Sequence, residues 1–155
     1  MRQGVRLGVD VGKVRVGVAR SDRDGLLATP LETVQRRGDD LAPVLARIAE
    51  IAADVEAIEL VVGLPIAMSG RDTPSTADAR MVADRLAEGP LPVRLIDERL
   101  TTVSAQAALH ASGRNTRGSR SVIDQVAAVI LLQHALDAER ARGEAPGALV
   151  DPERE

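Results

Sequence analysis

An aspartate stands inside an apolar, strand-like stretch near the start of the chain, within the sequence RLGVDVGKVRVGVARSD of residues 6–22. Strands disfavour Asp, and a buried carboxylate is costly unless a partner compensates its charge. Alternation places Asp10 on the same face as Gly8 and Gly12, and glycine inside a strand often marks the close approach of a ligand or another backbone. This face therefore predicts a site for chemistry. The alternative is an edge hairpin with one solvated face.

Two further acidic positions are unusual for their surroundings. Asp97 and Glu98 end the strand-like stretch VRLIDE, and ligands of open α/β sheets collect at the carboxyl ends of strands. Because adjacent strand residues point to opposite faces, at most one of the two shares the face of Asp10, and a helix cap accounts well for Asp97. Asp124 lies on the small, apolar side of a predicted helix. A bond to a backbone amide or the helix dipole would also account for it.

Gathered together, three carboxylates repel, and each raises the pKa of the others. A pair of divalent cations relieves this repulsion, and two-metal sites serve in-line displacement at phosphorus. The chain has no Cys and only two His, so carboxylates must supply the ligands, which favours Mg²⁺ or Mn²⁺. The acids therefore predict metal-dependent cleavage of a phosphodiester, with the glycines beside Asp10 leaving room for the substrate.

The elements that must position these acids follow from the hydrophobic periodicity. Three strands over about residues 5–34 are followed by alternating helices and strands, in the order β-β-β-α-β-α-β-α-α. This order predicts an α/β fold with a five-stranded mixed sheet, made of a three-stranded antiparallel meander and two parallel strands, with helices on both faces. Residues 1–142 form the predicted domain, and residues 143–155 are predicted to be a disordered tail because they are rich in Gly, Pro and charge.

Composition narrows the class of protein. Apolar residues make up 45% of the 155, and no Phe, Tyr or Trp is present, which excludes modules that stack bases on aromatic side chains. Nucleic acid would then be recognised through its backbone and shape, although the net charge of −3 counts against it. No apolar run is long enough to span a bilayer, and the lack of Cys agrees with a cytoplasmic protein.

Four motifs in order resemble the YqgF/RuvX family, whose members are called Holliday junction resolvases and, in other work, pre-16S rRNA nucleases. The motifs are LGVDVGKVRVGVARSD, VVGLPIAMSG, DERLTTVSAQ and SVIDQVAAVILLQ, and together the resemblance covers about residues 5–140. It implies an RNase H-like fold and a metal-dependent nuclease site made by Asp10, Glu98 and Asp124, with two bound ions. The residues alone leave the choice between Asp97 and Glu98 open.

Candidate substrate contacts are basic residues near these acids. Three arginines occur in one acid-free loop before the Asp124 helix, a position that suits phosphate binding or simply a solvated surface. The turn after Asp10 departs from the family pattern Gly-Thr-Lys-Arg, which weakens a phosphate role for its lysine. The candidates are Lys13, Arg15, Arg71, Arg99, Arg114, Arg117 and Arg120.

Two rival functions remain at this point. The first hairpin also resembles the phosphate-binding hairpin of actin/hexokinase ATPases, but those proteins need two such domains and this chain has room for one. The second rival is a non-catalytic RNA-binding factor of ribosome assembly. The sequence does not distinguish precursor rRNA from branched DNA as the nucleic-acid partner, and it leaves the oligomeric state open, a homodimer included.

Overall fold

A computed structural model describes residues 1–100 and 120–151; the side chains of residues 100 and 120–122 are outside that description. The strands are β1 Val5–Val11, β2 Arg15–Ser21, β3 Ala28–Gln35, β4 Ala57–Leu64, β5 Val93–Asp97 and β6 Ala148–Leu149. The helices are α1 Ala42–Asp54, α2 Pro74–Ala87 and α3 Arg120–Arg142, with a single 3-10 turn at Glu98–Leu100. The helix predicted from Thr101 to Gly113 and the basic loop after it lie outside the described residues.

The strands form one mixed sheet in the order β3-β2-β1-β4-β5-β6. β1, β2 and β3 are the predicted antiparallel meander, and β1, β4 and β5 run parallel to one another. The carboxyl ends of these three parallel strands therefore meet at one edge of the sheet. This edge carries Asp10 at the end of β1 and Glu98 just after β5.

The predicted number of five strands is wrong, because the sheet has six. The sixth, β6, lies within the predicted tail and runs antiparallel to β5, with Leu149 opposite Arg94. The N–H of Val150 also donates to the carbonyl of Val93 at 2.8 Å. A two-residue strand is too short to show periodicity, and what orders it is the row of unpaired backbone groups along the edge of β5.

Helices cover both faces of the sheet, as predicted. α1 and α2 pack on the face that carries Leu7, Val9 and Val62. α3 packs on the other face, against Ala19, Val61 and Ile96. The acid-bearing face of β1 is therefore the face that α3 covers, which brings a helix over Asp10. In the described part of the chain, no helix is long and apolar enough to cross a membrane.

The loop between β4 and α2 is fixed at its base. Thr73 caps α2 by accepting a hydrogen bond from the N–H of Thr76 at 3.3 Å, while the hydroxyl of Thr76 accepts one from the N–H of Thr73 at 2.9 Å. This is a capping box, and Pro74 occupies the first turn. The Thr76 hydroxyl also donates to the carbonyl of Pro65, at the start of the loop. The loop thus leaves the sheet and enters the helix at defined positions.

A buried ionic cluster ties α3 to the amino-terminal end of the sheet. Arg6, which is 1% exposed, donates to Glu139 of α3 at 2.8 Å. Arg2 binds both Glu139 and Glu59 of β4, and Arg94 of β5 donates to the same Glu59 at 3.0 Å. Buried charged pairs are weak evidence for stability but can specify a unique arrangement. Here the pairs set the position of α3 on the sheet, and therefore that of Asp124.

Candidate active site

Asp10 and Glu98 are brought together at the carboxyl edge of the sheet. Glu98 is the first residue after β5, and its side chain reaches back across β4, where a Cβ on Gly63 would lie 2.2 Å from its Oε1. The glycine in β4 therefore makes the space that Glu98 occupies. The two carboxyl groups share a hydrogen bond. The sequence alone left open whether Asp97 or Glu98 is the neighbour of Asp10. In the structure the neighbour is Glu98.

Burial gives both acids a raised affinity for protons. Burial raises the pKa of Glu98 to about 9, helped by its hydrogen bond to Asp10 and by the nearby negative charges. Burial also raises the pKa of Asp10, an effect that the hydrogen bond from Glu98 opposes and to which the charge of Asp124 adds. At neutral pH the pair therefore holds a proton, because two ionised carboxylates in contact without a counter-charge are unfavourable.

Asp124 lies over the hairpin that carries Asp10. Gly17 is the register partner of Asp10 in β2, and a Cβ on Gly17 would lie 2.0 Å from the carbonyl oxygen of Asp124. Only glycine allows α3 to approach β2 so closely. The Oδ2 of Asp124 accepts a hydrogen bond from the Nε of Arg15 at 2.9 Å. The third acid is thus near the pair but neutralised by a cation of β2.

Asp97 is directed into its own turn and away from Asp10. Its Oδ1 accepts a hydrogen bond from the backbone N–H of Arg99 at 2.9 Å, and its Oδ2 accepts one from the Arg99 guanidinium at 2.6 Å. These bonds hold the pKa of Asp97 below its usual value. Asp97 thus caps the 3-10 turn at Glu98–Leu100, while the helix that the sequence predicts it to cap lies outside the described residues.

The donor chemistry of the three acids fits a hard divalent cation. The acids supply oxygen donors without thiol or imidazole ligands, and glycines in β4 and β2 let the Glu98 side chain and the Asp124 backbone approach the sheet closely. Among residues 1–100 and 120–151, however, no three acidic, His or Cys side chains already form a metal cluster. Asp124 is paired with Arg15 instead. A cation would replace the proton of the acid pair and take Asp124 from Arg15.

The basic residues predicted to contact substrate differ in their distance from the acids and in whether they are already paired. Arg15 lies at the acids, and Arg99 lies beside them but is bound to Asp97. Lys13 is exposed in the turn after β1, and Arg71 is exposed in the loop after β4. Arg114 and Arg117 lie outside the described residues, and Arg120 begins α3 with a side chain that is not described.

Arg36 is a positioning residue that the sequence reasoning missed. Its side chain is 3% exposed and donates to Asp78 of α2 at 2.6 and 2.7 Å and to the carbonyl of Gly12 at 2.9 Å. It therefore anchors the turn that carries Lys13 and Arg15. The only signal in the sequence was an arginine directly after the third predicted strand, and such arginines are usually solvated.

Residues 4–138 match the model of the RuvX family, described as Holliday junction resolvase. A relative from Clavibacter sepedonicus, named "Putative pre-16S rRNA nuclease", is 61% identical over 99% of both chains. A relative of the same name from Leifsonia xyli subsp. xyli is 59% identical, over 98% of this chain and 97% of its own.

Among solved structures, the fold is similar to that of RuvC from T. thermophilus in complex with a Holliday junction substrate. The TM-score is 0.56 at 17% identity, covering 95% of this chain and 99% of RuvC. A structure of Thermus thermophilus RuvC gives a TM-score of 0.50 at 18% identity, covering 89% and 97%. At such identities the likeness shows a shared fold, and the expected RNase H-like architecture is confirmed.

Proposed function

The chain belongs to the RuvX family of nucleases, and from that premise we propose that it is a metal-dependent endonuclease of folded nucleic acid. The observation that carries the proposal is the contact between Asp10 and Glu98, two acids that share a proton beneath Asp124. Such a group has no evident structural use, since buried acids in contact are costly without a compensating charge. The names of the relatives point to precursor 16S rRNA as a substrate, and the family description points to Holliday junctions. Either substrate implies action in the cytoplasm.

Asp10, Glu98 and Asp124 are the residues proposed to hold two ions of Mg²⁺ or Mn²⁺. When bound, such ions activate a water molecule and stabilise the leaving oxygen of a phosphodiester. The contribution of the protein is to present three oxygen donors at the ends of rigid elements, β1, the turn after β5 and α3. Release of the proton held between Asp10 and Glu98 accompanies ligation, because only the ionised carboxylates bind a cation well.

Arg15 is proposed to contact the scissile strand. Without substrate, Arg15 is paired with Asp124. If Asp124 holds a catalytic ion, the scissile phosphate must bind next to Asp124, and the guanidinium of Arg15 already lies there. A ligand that takes over Asp124 frees the guanidinium for a phosphate oxygen, which arginine binds through two parallel hydrogen bonds. Arg36 supports this role by holding the Gly12 carbonyl, and with it the turn before Arg15.

The test is a parallel digestion of precursor 16S rRNA, a four-way DNA junction and a linear duplex with Mg²⁺ or Mn²⁺. Wild type is compared with Asp10→Asn and with the matched control Asp97→Asn, which changes the acid that is turned away. We expect Asp10→Asn to abolish cleavage of the preferred substrate and Asp97→Asn to retain it. Cleavage by Asp10→Asn at the wild-type rate would overturn the assignment of the site.

A non-catalytic RNA-binding role is the second candidate, and the pairing of Arg15 with Asp124 favours it, because this pair closes the third ligand position. The same digestion distinguishes the two functions. Tight binding of precursor rRNA without cleavage by the wild type, in either metal, would support the binding role. The family match over residues 4–138 and the single sheet formed by the described strands both count against the actin/hexokinase-like ATPase.

A further inference from the structure

Met68 presents an apolar side chain to solvent in the loop between β4 and α2. It is 83% exposed, more than any other large apolar side chain in the described part of the chain. Burying a Met side chain against a partner removes apolar surface from water and is favourable. At this exposure almost all of that apolar surface is still available to a partner.

The exposure of Met68 is built into an ordered turn. The N–H of Gly70 donates to the carbonyl of Ala67 at 2.7 Å, and the N–H of Ala67 donates to the carbonyl of Arg71 at 3.0 Å. Gly70 has φ +86°, a conformation that favours glycine. An isolated β-bridge joins Ile66 to Asp72 below the turn. Together these bonds place Met68 at the tip of a short hairpin.

The hairpin rises from the carboxyl edge of the sheet, the edge that carries the proposed site. It begins directly after β4, the strand whose Gly63 lies against Glu98. The Nη1 of Arg99 lies 3.7 Å from the position a Cβ on Gly70 would take, and Arg71 is exposed within the hairpin. Arg71 is followed by Asp72 and Arg99 is paired with Asp97, so the apolar tip, not charge, is the distinctive feature of the hairpin. An apolar tip at the edge that a substrate of the proposed nuclease must approach suits contact with an accessible base.

We propose that Met68 is a wedge that packs against a base of the substrate where the helix is interrupted, next to the scissile phosphate. The inference rests on the proposed nuclease function. It adds a means by which the protein distinguishes an interrupted nucleic-acid helix from a continuous one. Apolar side chains, Met among them, enter base steps and unstack them. The chain has no aromatic residue to do this, and the flexible, polarisable thioether of Met adapts to any base.

The experiment measures binding and unstacking separately from cleavage, with Ca²⁺ in place of the catalytic metal. The probes are a four-way junction and a bulged duplex, each with 2-aminopurine beside the interruption, and the same duplex without a bulge. The variants are Met68→Ala, Met68→Gln, which keeps the length of the side chain, and Met68→Leu, which keeps its apolar character. The matched control is Leu27→Ala, which removes a side chain that is 60% exposed at the opposite end of the sheet.

We expect wild type, Met68→Leu and Leu27→Ala to raise 2-aminopurine fluorescence and to prefer the interrupted substrates. Met68→Ala and Met68→Gln should lose the fluorescence rise and about tenfold of the preference, because the base loses its apolar contact. Affinity for the continuous duplex should stay within about twofold. Thermal unfolding should be unchanged in all variants, since the side chain contacts solvent.

The wedge is overturned if Met68→Ala binds and unstacks like Leu27→Ala. It is equally overturned if Met68→Ala changes only self-association in sedimentation, because the residue would then contact a second copy of the chain. Failure of the proposed function looks different. In that case wild type and Asp10→Asn both unstack the base, and neither cleaves any substrate in Mg²⁺ or Mn²⁺.

Discussion

The Nε of Arg15 donates a hydrogen bond to the Oδ2 of Asp124 across 2.9 Å, joining β2 to α3 directly over the strand that carries Asp10. Both side chains are partly exposed, 25% and 21%. The pair compensates the charge of Asp124, which lies next to the contact between Asp10 and Glu98. A cation and Arg15 therefore compete for Asp124, and the first prediction below follows from that competition.

Arg15→Gln should bind Mn²⁺ about two- to fivefold more tightly than wild type in the absence of nucleic acid, because a partly exposed ion pair contributes up to about 1 kcal/mol. The same variant should bind substrate more weakly. Calorimetric titration with Mn²⁺ measures the first effect. Arg47→Gln is the control, since Arg47 pairs with Glu32 elsewhere. Equal or weaker Mn²⁺ binding by Arg15→Gln would contradict the competition.

In chelator, the stability of wild type should fall relative to that of Glu98→Gln as pH rises from about 5 to 8. Burial and Asp10 raise the pKa of Glu98 to about 9 in the folded chain. At pH values between the ordinary pKa of a glutamate and about 9, Glu98 is protonated in the folded chain and ionised in the unfolded chain. The free energy of unfolding therefore declines as pH rises across that range, by at most about 1.4 kcal/mol per pH unit. Urea unfolding at four pH values measures it, and parallel curves for the two proteins would count against the shared proton.

Asp10→Asn and Asp78→Asn should have opposite effects on stability in chelator. Asp10→Asn removes repulsion among clustered acids, so the melting temperature should hold or rise while cleavage is lost. Asp78→Asn removes the charge that pairs with the buried guanidinium of Arg36 and should cost about 1–3 kcal/mol. Calorimetric melting compares the two. A clear fall for Asp10→Asn would mean that Asp10 is a hydrogen-bonded structural residue.

Two glycine substitutions should separate function from folding. In Gly63→Ala the new Cβ meets the Oε1 of Glu98 at 2.2 Å, and a side-chain end can move, so we expect a folded protein with weakened metal binding and little cleavage. In Gly17→Ala the Cβ meets the backbone oxygen of Asp124 at 2.0 Å, so α3 must shift, at a cost of about 1–3 kcal/mol. Chemical denaturation and Mn²⁺ titration test both, and equal stability loss in the two would be the contrary result.

Changing Arg114, Arg117 and Arg120 together to Ala should lower the slope of log K against log salt on duplex DNA by about 2.7, if each neutralises one phosphate. Sequence preference should hardly change, because phosphate contacts position the protein without specifying bases. Cleavage at saturating substrate should persist, since the proposed ligands are intact. Binding titrations over a range of salt measure the slope, and superimposable lines would exclude these arginines as contacts.

Short-range pattern was enough to predict much of this protein. Alternation along β1 predicted that Asp10 shares a face with glycines, and periodicity predicted α1, α2 and the helix that carries Asp124. These features depend on residues a few positions apart, for which the periods of strand and helix are sufficient. The mixed sheet followed from the order of the elements.

Contacts between distant segments were decided only by the tertiary structure. Whether Asp97 or Glu98 turns to Asp10 depends on the space above Gly63, in a different strand. The pairing of Arg15 with Asp124 spans 109 positions, and that of Arg36 with Asp78 spans 42. The strand β6 exists because it meets an open edge of β5. Local sequence carries no record of which partner a side chain or a free backbone group will meet, since that depends on packing of the whole sheet and its helices.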